Sequence, residues 1–208
     1  RFLKSLSEDA VLRQVSHGPV LDRLMAALHG EPVRPFDFLW LRATPVGRAS
    51  PLHFDHVYMN RGSARVLTVW IPLGPVPLCD GPLAIVEDAH RAEAMIERFR
   101  GLDVDRRPGR PGDIGEDPIE LVERLGTRLL TAEFAPGDVV VFGMFTLHGS
   151  LDNVSPAGRV RLSCDVRYQP AAESIDPRWF GADPPGHRGR GYGGMTAARP
   201  LTAAPIRR

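Results

Sequence analysis

From residue 2 to 29 apolar positions recur at helical spacing: Leu3, Leu6 and Ala10, then Val20, Leu21, Leu24, Met25 and Leu28. Gly18-Pro19 divides the span into two helices. Ser7, followed by Glu8 and Asp9, marks an N-terminal cap, and Gly30 a stop. From Val33 the pattern shortens to strands. Residues 36–42 are dense in aromatics, and residues 50–56 form a short strand or strand end. Residues 64–73 are apolar enough for a strand buried on both faces. Asp80-Gly81 is a hairpin-type turn signal ahead of a strand over 83–87. Ala92, Met95, Ile96 and Phe99 give an amphipathic helix over 91–99. Residues 100–118 read as a long polar loop, 119–125 as a short helix, 128–134 as a strand, and 139–142 with 144–148 as two further strands. The clearest signal comes last. Over 159–169, Val160, Leu162, Cys164 and Val166 alternate with Arg159, Arg161, Ser163, Asp165 and Arg167, the period of two expected of a strand.

About eight short strands with helices at the N-terminus and in an insertion predict a mainly β protein, a double-stranded β-helix or jelly-roll-like barrel with flanking helices. One domain is expected over 1–208, with helices to about residue 30, a barrel core over about 36–169 and a tail over about 170–208. The tail is Pro-, Gly- and Arg-rich, and His187 within it reads as solvated.

Composition narrows the class. The 208 residues carry 26 basic and 25 acidic side chains, a net charge of +1, so no nucleic-acid footprint is written in the charge. No run of apolar residues reaches the length of a membrane span, and Cys79 and Cys164 stand far apart, outside any C-x-x-C. The cysteine usage favours a cytoplasmic setting; the short size and varied loops suit a small-molecule partner, and a monomer or homodimer is expected. The chain opens on Arg1 rather than Met, which implies that residues precede it.

Candidate chemistry centres on His53-Phe54-Asp55. On a strand, residues i and i+2 share a face, so an imidazole and a carboxylate can meet one metal ion. Two histidines with one carboxylate leave open positions on iron(II) for a co-substrate and dioxygen. His148, at the end of an apolar strand and followed by Gly149-Ser150, is the best third ligand. An oxo-acid co-substrate such as 2-oxoglutarate also needs a cation for its distal carboxylate, which an arginine fork meets with two hydrogen bonds. Arg159 starts the alternating strand beside His148, and Arg161 on the same face is the rival anchor. His56 reads as facing away from the metal or lining the substrate side, and His90 as structural.

Several elements then occur in order: His53-Phe54-Asp55, Trp70-Ile71-Pro72-Leu73, Gly81-Pro82-Leu83 with Asp88-Ala89-His90, Pro136-Gly137-Asp138-Val139, His148-Gly149-Ser150, and Arg159 followed by Leu162-Ser163. This set resembles the phytanoyl-CoA dioxygenase (PhyH-like) family of iron(II)/2-oxoglutarate oxygenases, over residues 40–168. The resemblance implies iron held by His53, Asp55 and His148, and 2-oxoglutarate bound by Arg159. It also implies a co-substrate pocket lined by Ser150 and Trp70, with help from Thr68 or Arg42. The implied reaction is hydroxylation of a small molecule at an unactivated C–H bond, with release of succinate and CO2, in natural-product tailoring. Related halogenases replace the carboxylate with a small residue, so Asp55 favours hydroxylation over halogenation. Desaturation, epoxidation and cyclisation use the same triad. A non-catalytic binding barrel of the same lineage is the rival class, and it would be favoured by loss of any one ligand. The family often carries glutamine after the first histidine, where this chain has Phe54.

Overall fold

A computed structural model describes residues 6–107 and 109–187. Two helices open it, α1 (Ala10–His17) and α2 (Pro19–His29). Asp9, not Ser7, caps α1: its carboxylate accepts from the amides of Val11 and Leu12, while Ser7 lies in a preceding helical turn. Gly18 ends α1, and Pro19 takes the first turn of α2, where its missing N–H costs nothing. Gly30 closes α2 in the left-handed region at φ 72°.

Eight strands follow among the described residues: β1 (Val33–Pro35), β2 (Trp40–Thr44), β3 (Leu67–Pro72), β4 (Leu83–Val86), β5 (Leu129–Leu130), β6 (Val140–Gly143), β7 (His148–Ser150) and β8 (Arg161–Pro170). The insertion between β4 and β5 carries helices α3 (Glu93–Arg100) and α4 (Pro118–Leu125). All pairings are antiparallel and fall into two sheets. In the larger, β8 pairs with β1 and β2 along one edge and with β3 along the other, and β3 pairs onward with β6. The smaller runs β5-β4-β7.

The alternation of β8 is present, and its two faces meet different partners. Cys164, Val166 and Tyr168 pack under Leu21 and Met25 of α2, together with Val69 and Ile71 of β3. The Tyr168 hydroxyl donates to the Ser16 carbonyl (2.9 Å), tying this face to α1. Arg161, Ser163, Asp165 and Arg167 point the other way and are nevertheless buried. A polar face turned inward is costly unless its groups are paired, so it marks where a polar site lies.

Several expected elements differ. Residues 50–56 are not a strand: His53 makes single bridges to His148 and Asp113, and Asp55 opens a 3-10 turn (Asp55–Val57). Asp80-Gly81 joins no hairpin, since it passes the chain from the larger sheet to the smaller, with Asp80 bridged to Asn153. Only Leu129–Leu130 of 128–134 is strand, and the strand at His148 begins there rather than at residue 144, after a tight turn. Of the 36–42 segment only residues 40–42 are strand, at the start of β2; residues 36–39 link β1 to β2, with Phe36 and Leu39 buried in the core. The 100–118 loop is packed down: Leu102, Val104 and Ile114 are buried. His187 is half-buried against Tyr58 and Trp179 rather than solvated. Among the described residues no helix is long and apolar enough to cross a membrane. The expected tail beyond residue 187 lies outside the described residues.

Candidate metal centre and anion cleft

His53 and His148 are brought face to face by the backbone itself. The His53 amide donates to the His148 carbonyl (2.9 Å) and the His148 amide to the His53 carbonyl (3.2 Å). Their rings lie 4.3 Å apart. Gly149 permits this approach, since a Cβ there would stand 2.7 Å from the Ser50 carbonyl oxygen. The 3-10 turn then swings Asp55 back beneath both rings. Asp55 Oδ1 lies 3.7 Å from His53 Nε2 and 3.9 Å from His148 Nε2. The three residues offer ligand atoms within 4.8 Å of one another, and all three are buried.

Second contacts fix what each ligand presents. His53 Nδ1 donates to the Pro51 carbonyl (2.8 Å), and His148 Nδ1 donates to the Thr146 carbonyl (2.9 Å). A carbonyl accepts only, so the proton sits on each Nδ1 and each Nε2 keeps its lone pair. Burial, with the neighbouring His148, holds the His53 imidazole well below its ordinary pKa, and burial also lowers His148. Both are neutral near pH 7. For Asp55, burial pushes the carboxyl up, but the Arg167 guanidinium and both imidazoles outweigh it and hold the carboxyl far below the usual range. Asp55 Oδ2 accepts from Thr68 Oγ1 (2.6 Å) and Arg167 Nη2 (3.0 Å), whereas the buried Oδ1 accepts no hydrogen bond among the described residues. A carboxylate oxygen left without a hydrogen bond beside two imidazole lone pairs is a donor set that could hold a cation, and its N, N, O composition is the kind suited to iron(II).

A narrow cleft of about 20 Å³ adjoins the triad, lined by Arg42, Trp70, His148, Ser150, Arg161 and Asp165 among others. Arg161 is 3% exposed. It donates to Ser163 Oγ (2.7 Å) and Thr44 Oγ1 (2.9 Å), its Nε finds no acceptor, and it stands 5.9 Å from the Trp70 ring. Burial and the nearby Arg42 pull its pKa down to about 10, with Asp165 opposing, and among the described residues no carboxylate is hydrogen-bonded to it.

Arg159 lies elsewhere. Its side chain is 50% exposed and its Nη2 pairs with Asp80 (2.8 Å), outside the cleft. The reason is local. Asn153 holds the preceding loop by donating to the carbonyls of Arg159 and Thr44, so the ladder opens only at Arg161. Ser150 lines the cleft and its hydroxyl accepts from the Ser50 amide (2.8 Å), while Arg42 pairs with Asp165 (2.6 Å). Thr68 lies against Asp55 instead of the cleft. Phe54 faces away, fully buried against Phe99 and Phe145, so a glutamine there would point into the core. His56 stacks on Phe145 and donates from Nε2 to the Arg100 carbonyl (2.6 Å), and His90 is exposed. Arg167 escaped the sequence reading as a site residue, though its place on the inward face of β8 was the signal for it.

Two antiparallel sheets, with a buried His, Asp, His cluster and a buried arginine beside it, define a double-stranded β-helix whose buried donors could hold a metal and an anion. Comparison with known proteins agrees. The model of the phytanoyl-CoA dioxygenase (PhyH) family matches residues 3–161, and the chain belongs to that family. It is 35% identical over 156 residues to a 1-deoxypentalenic acid 11-beta-hydroxylase of Streptomyces arenae, a match covering 69% of this chain and 51% of that one. The Streptomyces exfoliatus hydroxylase of the same name is 33% identical over the same shares. The chain thus spans about half the length of these relatives. In fold it resembles SnoN, a non-heme alpha ketoglutarate dependent epimerase from nogalamycin biosynthesis (TM-score 0.61, 20% identity, 86% of this chain and 68% of that one). It also resembles EctD of S. alaskensis (TM-score 0.56, 21% identity, 87% and 61%).

Proposed function

We propose that this chain is the core of an iron(II)- and 2-oxoglutarate-dependent dioxygenase that hydroxylates a small molecule in natural-product tailoring. The observation that carries this reading is the orphaned Oδ1 of Asp55 facing the Nε2 atoms of His53 and His148, one cleft away from an arginine with no carboxylate bonded to it. Iron(II) with 2-oxoglutarate activates dioxygen for C–H hydroxylation, the oxo-acid leaving as succinate and CO2.

The chain's own residues do the positioning. Thr68 and Arg167 grip Oδ2 of Asp55, so the ligand oxygen is fixed before metal arrives. The Pro51 and Thr146 carbonyls set both imidazole tautomers. Arg161, in place of Arg159, meets the distal carboxylate of 2-oxoglutarate, with Ser150 and Trp70 walling the cleft. Charge fits this assignment. The buried face of β8 with the half-buried Arg42 beside it sets three guanidiniums, Arg42, Arg161 and Arg167, beside two carboxylates, Asp55 and Asp165, before any metal. A dication adds to that surplus, and a dianionic co-substrate offsets it.

1-Deoxypentalenic acid, on which the named Streptomyces hydroxylases act, is the first substrate to try. Aerobic incubation with iron(II), 2-oxoglutarate and this acid is expected to give succinate and a hydroxylated product, and Asp55→Ala is expected to give neither. Succinate formation indifferent to Asp55→Ala would refute the reading.

A further inference from the structure

Asp165 puts a carboxylate into the wall of the cleft that is to receive an anion. It is 3% exposed and stands on the inward row of β8. In the ladder it lies opposite Trp40 of β2 on one side and Trp70 of β3 on the other. Strand partners share a face, so Arg42 of β2, which lies opposite Ser163, turns inward with it and reaches Asp165 along the diagonal. Arg42 Nε donates to Asp165 Oδ2 (2.6 Å), and the same oxygen lies 3.6 Å from Arg167 Nη1. Arg167 in turn donates to Asp55 Oδ2 (3.0 Å). A line of alternating charge thus joins the cleft wall to the proposed metal ligand: Arg42, Asp165, Arg167, Asp55.

A carboxylate in this place is costly on two counts. It gives up its water, and it repels the anion that the cleft is to take. Packing alone does not demand it, since an asparagine has nearly the same shape. What it contributes is charge. Without it, the guanidiniums of Arg42, Arg161 and Arg167 would face the carboxylate of Asp55 alone, a field that favours an anion and opposes a dication. The Asp165 charge is felt on both sides. Burial lowers the His148 imidazole, and Asp165 opposes that fall together with Asp55 and the Thr146 carbonyl. Burial and Arg42 lower Arg161, and Asp165 opposes that fall as well.

We propose that Asp165 is a positioning residue that divides affinity between the two halves of the site, acting through Arg42 and Arg167. Its carboxylate offsets Arg42, so the His53, Asp55 and His148 set keeps the negative potential that a dication needs, while Arg161 keeps its charge for the dianionic oxo-acid. Metal affinity is thereby raised, and co-substrate affinity is lowered. This inference rests on the oxygenase reading above and deepens it, by giving a role to a charge that the anchor and the ligands leave unexplained.

The test uses the full chain and two binding measurements that need no turnover. Manganese(II) affinity is read from the electron paramagnetic resonance signal of the free ion. Affinity for 2-oxoglutarate is read by calorimetric titration of the manganese-saturated protein. Asp165→Asn, which keeps the shape and removes the charge, is expected to weaken manganese binding roughly tenfold and to tighten 2-oxoglutarate binding several-fold. Arg42→Gln, which removes the opposing charge, is expected to shift both affinities the other way. The double variant is expected to bring both back near wild type. A merely structural role would weaken both affinities in every variant. Both falling together in Asp165→Asn overturns the inference alone. So does an Arg42→Gln protein that loses 2-oxoglutarate affinity without gaining manganese affinity, or a double variant no nearer wild type than the single ones. Should Asp165→Asn not fold, the direction of the two shifts in Arg42→Gln decides by itself. A wild-type chain that binds neither manganese nor 2-oxoglutarate overturns the oxygenase reading, and this inference with it.

Discussion

At the residue scale, the proposed division of labour turns on two arginines of like parity. Arg159 and Arg161 sit on the same face of an alternating pattern, and the pattern alone cannot say where the ladder starts. Asn153 decides it, by holding the carbonyl of Arg159 in a loop. Arg161→Ala is therefore expected to raise the 2-oxoglutarate dissociation constant by roughly 100-fold, as loss of a buried charge-assisted pair implies. Arg159→Ala, which breaks only a half-exposed pair with Asp80, is expected to stay near wild type. Titration of each iron-loaded variant with 2-oxoglutarate separates them, and the reverse ranking would return the anchor to Arg159. Thr68 allows a second, milder test. Its hydroxyl orients Asp55 without touching the cleft, so Thr68→Val is expected to weaken metal binding roughly tenfold and leave the fold intact.

At the scale of elements, β8 was legible because period two is written directly in the residue order, and its inward polar row already signalled a cavity. The His53 and Asp55 segment was legible for the wrong reason. The two residues meet one point, yet not as neighbours on a strand: a single bridge to His148 places one, and a 3-10 turn places the other. Turn geometry after a bridge leaves no periodic trace, so the spacing survived and the element did not. Gly149 shows how narrowly this junction is set. Its Cβ-less backbone lies against Ser50 and Pro51, so Gly149→Ala must push β7 away from the His53 segment. The expected cost is about 1–3 kcal/mol in chemical denaturation, with a larger fractional loss of metal affinity than of stability. Full metal affinity in that variant would show that the junction tolerates the shift.

At the scale of the whole molecule, the partition of charge between surface and interior was hidden from the sequence. A net charge of +1 says nothing of the arginines and aspartates gathered inside one barrel end, because burial depends on which sheet face the chain turns inward. That arrangement has a consequence for pH. Burial lowers the pKa of His17, His53 and His148 in the folded protein, while in the unfolded chain each titrates near 6.5. Below pH 7 the unfolded state therefore binds protons that the native state refuses, so stability falls as pH falls. Each such histidine steepens the loss by up to about 1.4 kcal/mol per pH unit between its unfolded and folded pKa values. Asp55 acts in the same direction at lower pH. Its folded pKa lies far below the ordinary carboxylate value, so its contribution is complete above about pH 4 and is lost on further acidification. The metal-free protein is thus expected to show a flat melting temperature above pH 7.5 and a steady decline from pH 7 to pH 5. Iron(II) or manganese(II) at about 100 times its dissociation constant would add roughly 2.7 kcal/mol at pH 7.5. It would add progressively less toward pH 5, where protons compete for the same Nε2 lone pairs. Scanning calorimetry across this range, with and without metal, checks both slopes. A melting temperature indifferent to pH from 7.5 to 5 would mean that these imidazoles are not held neutral by the fold, and the preorganised metal centre argued from their tautomers would fall with it.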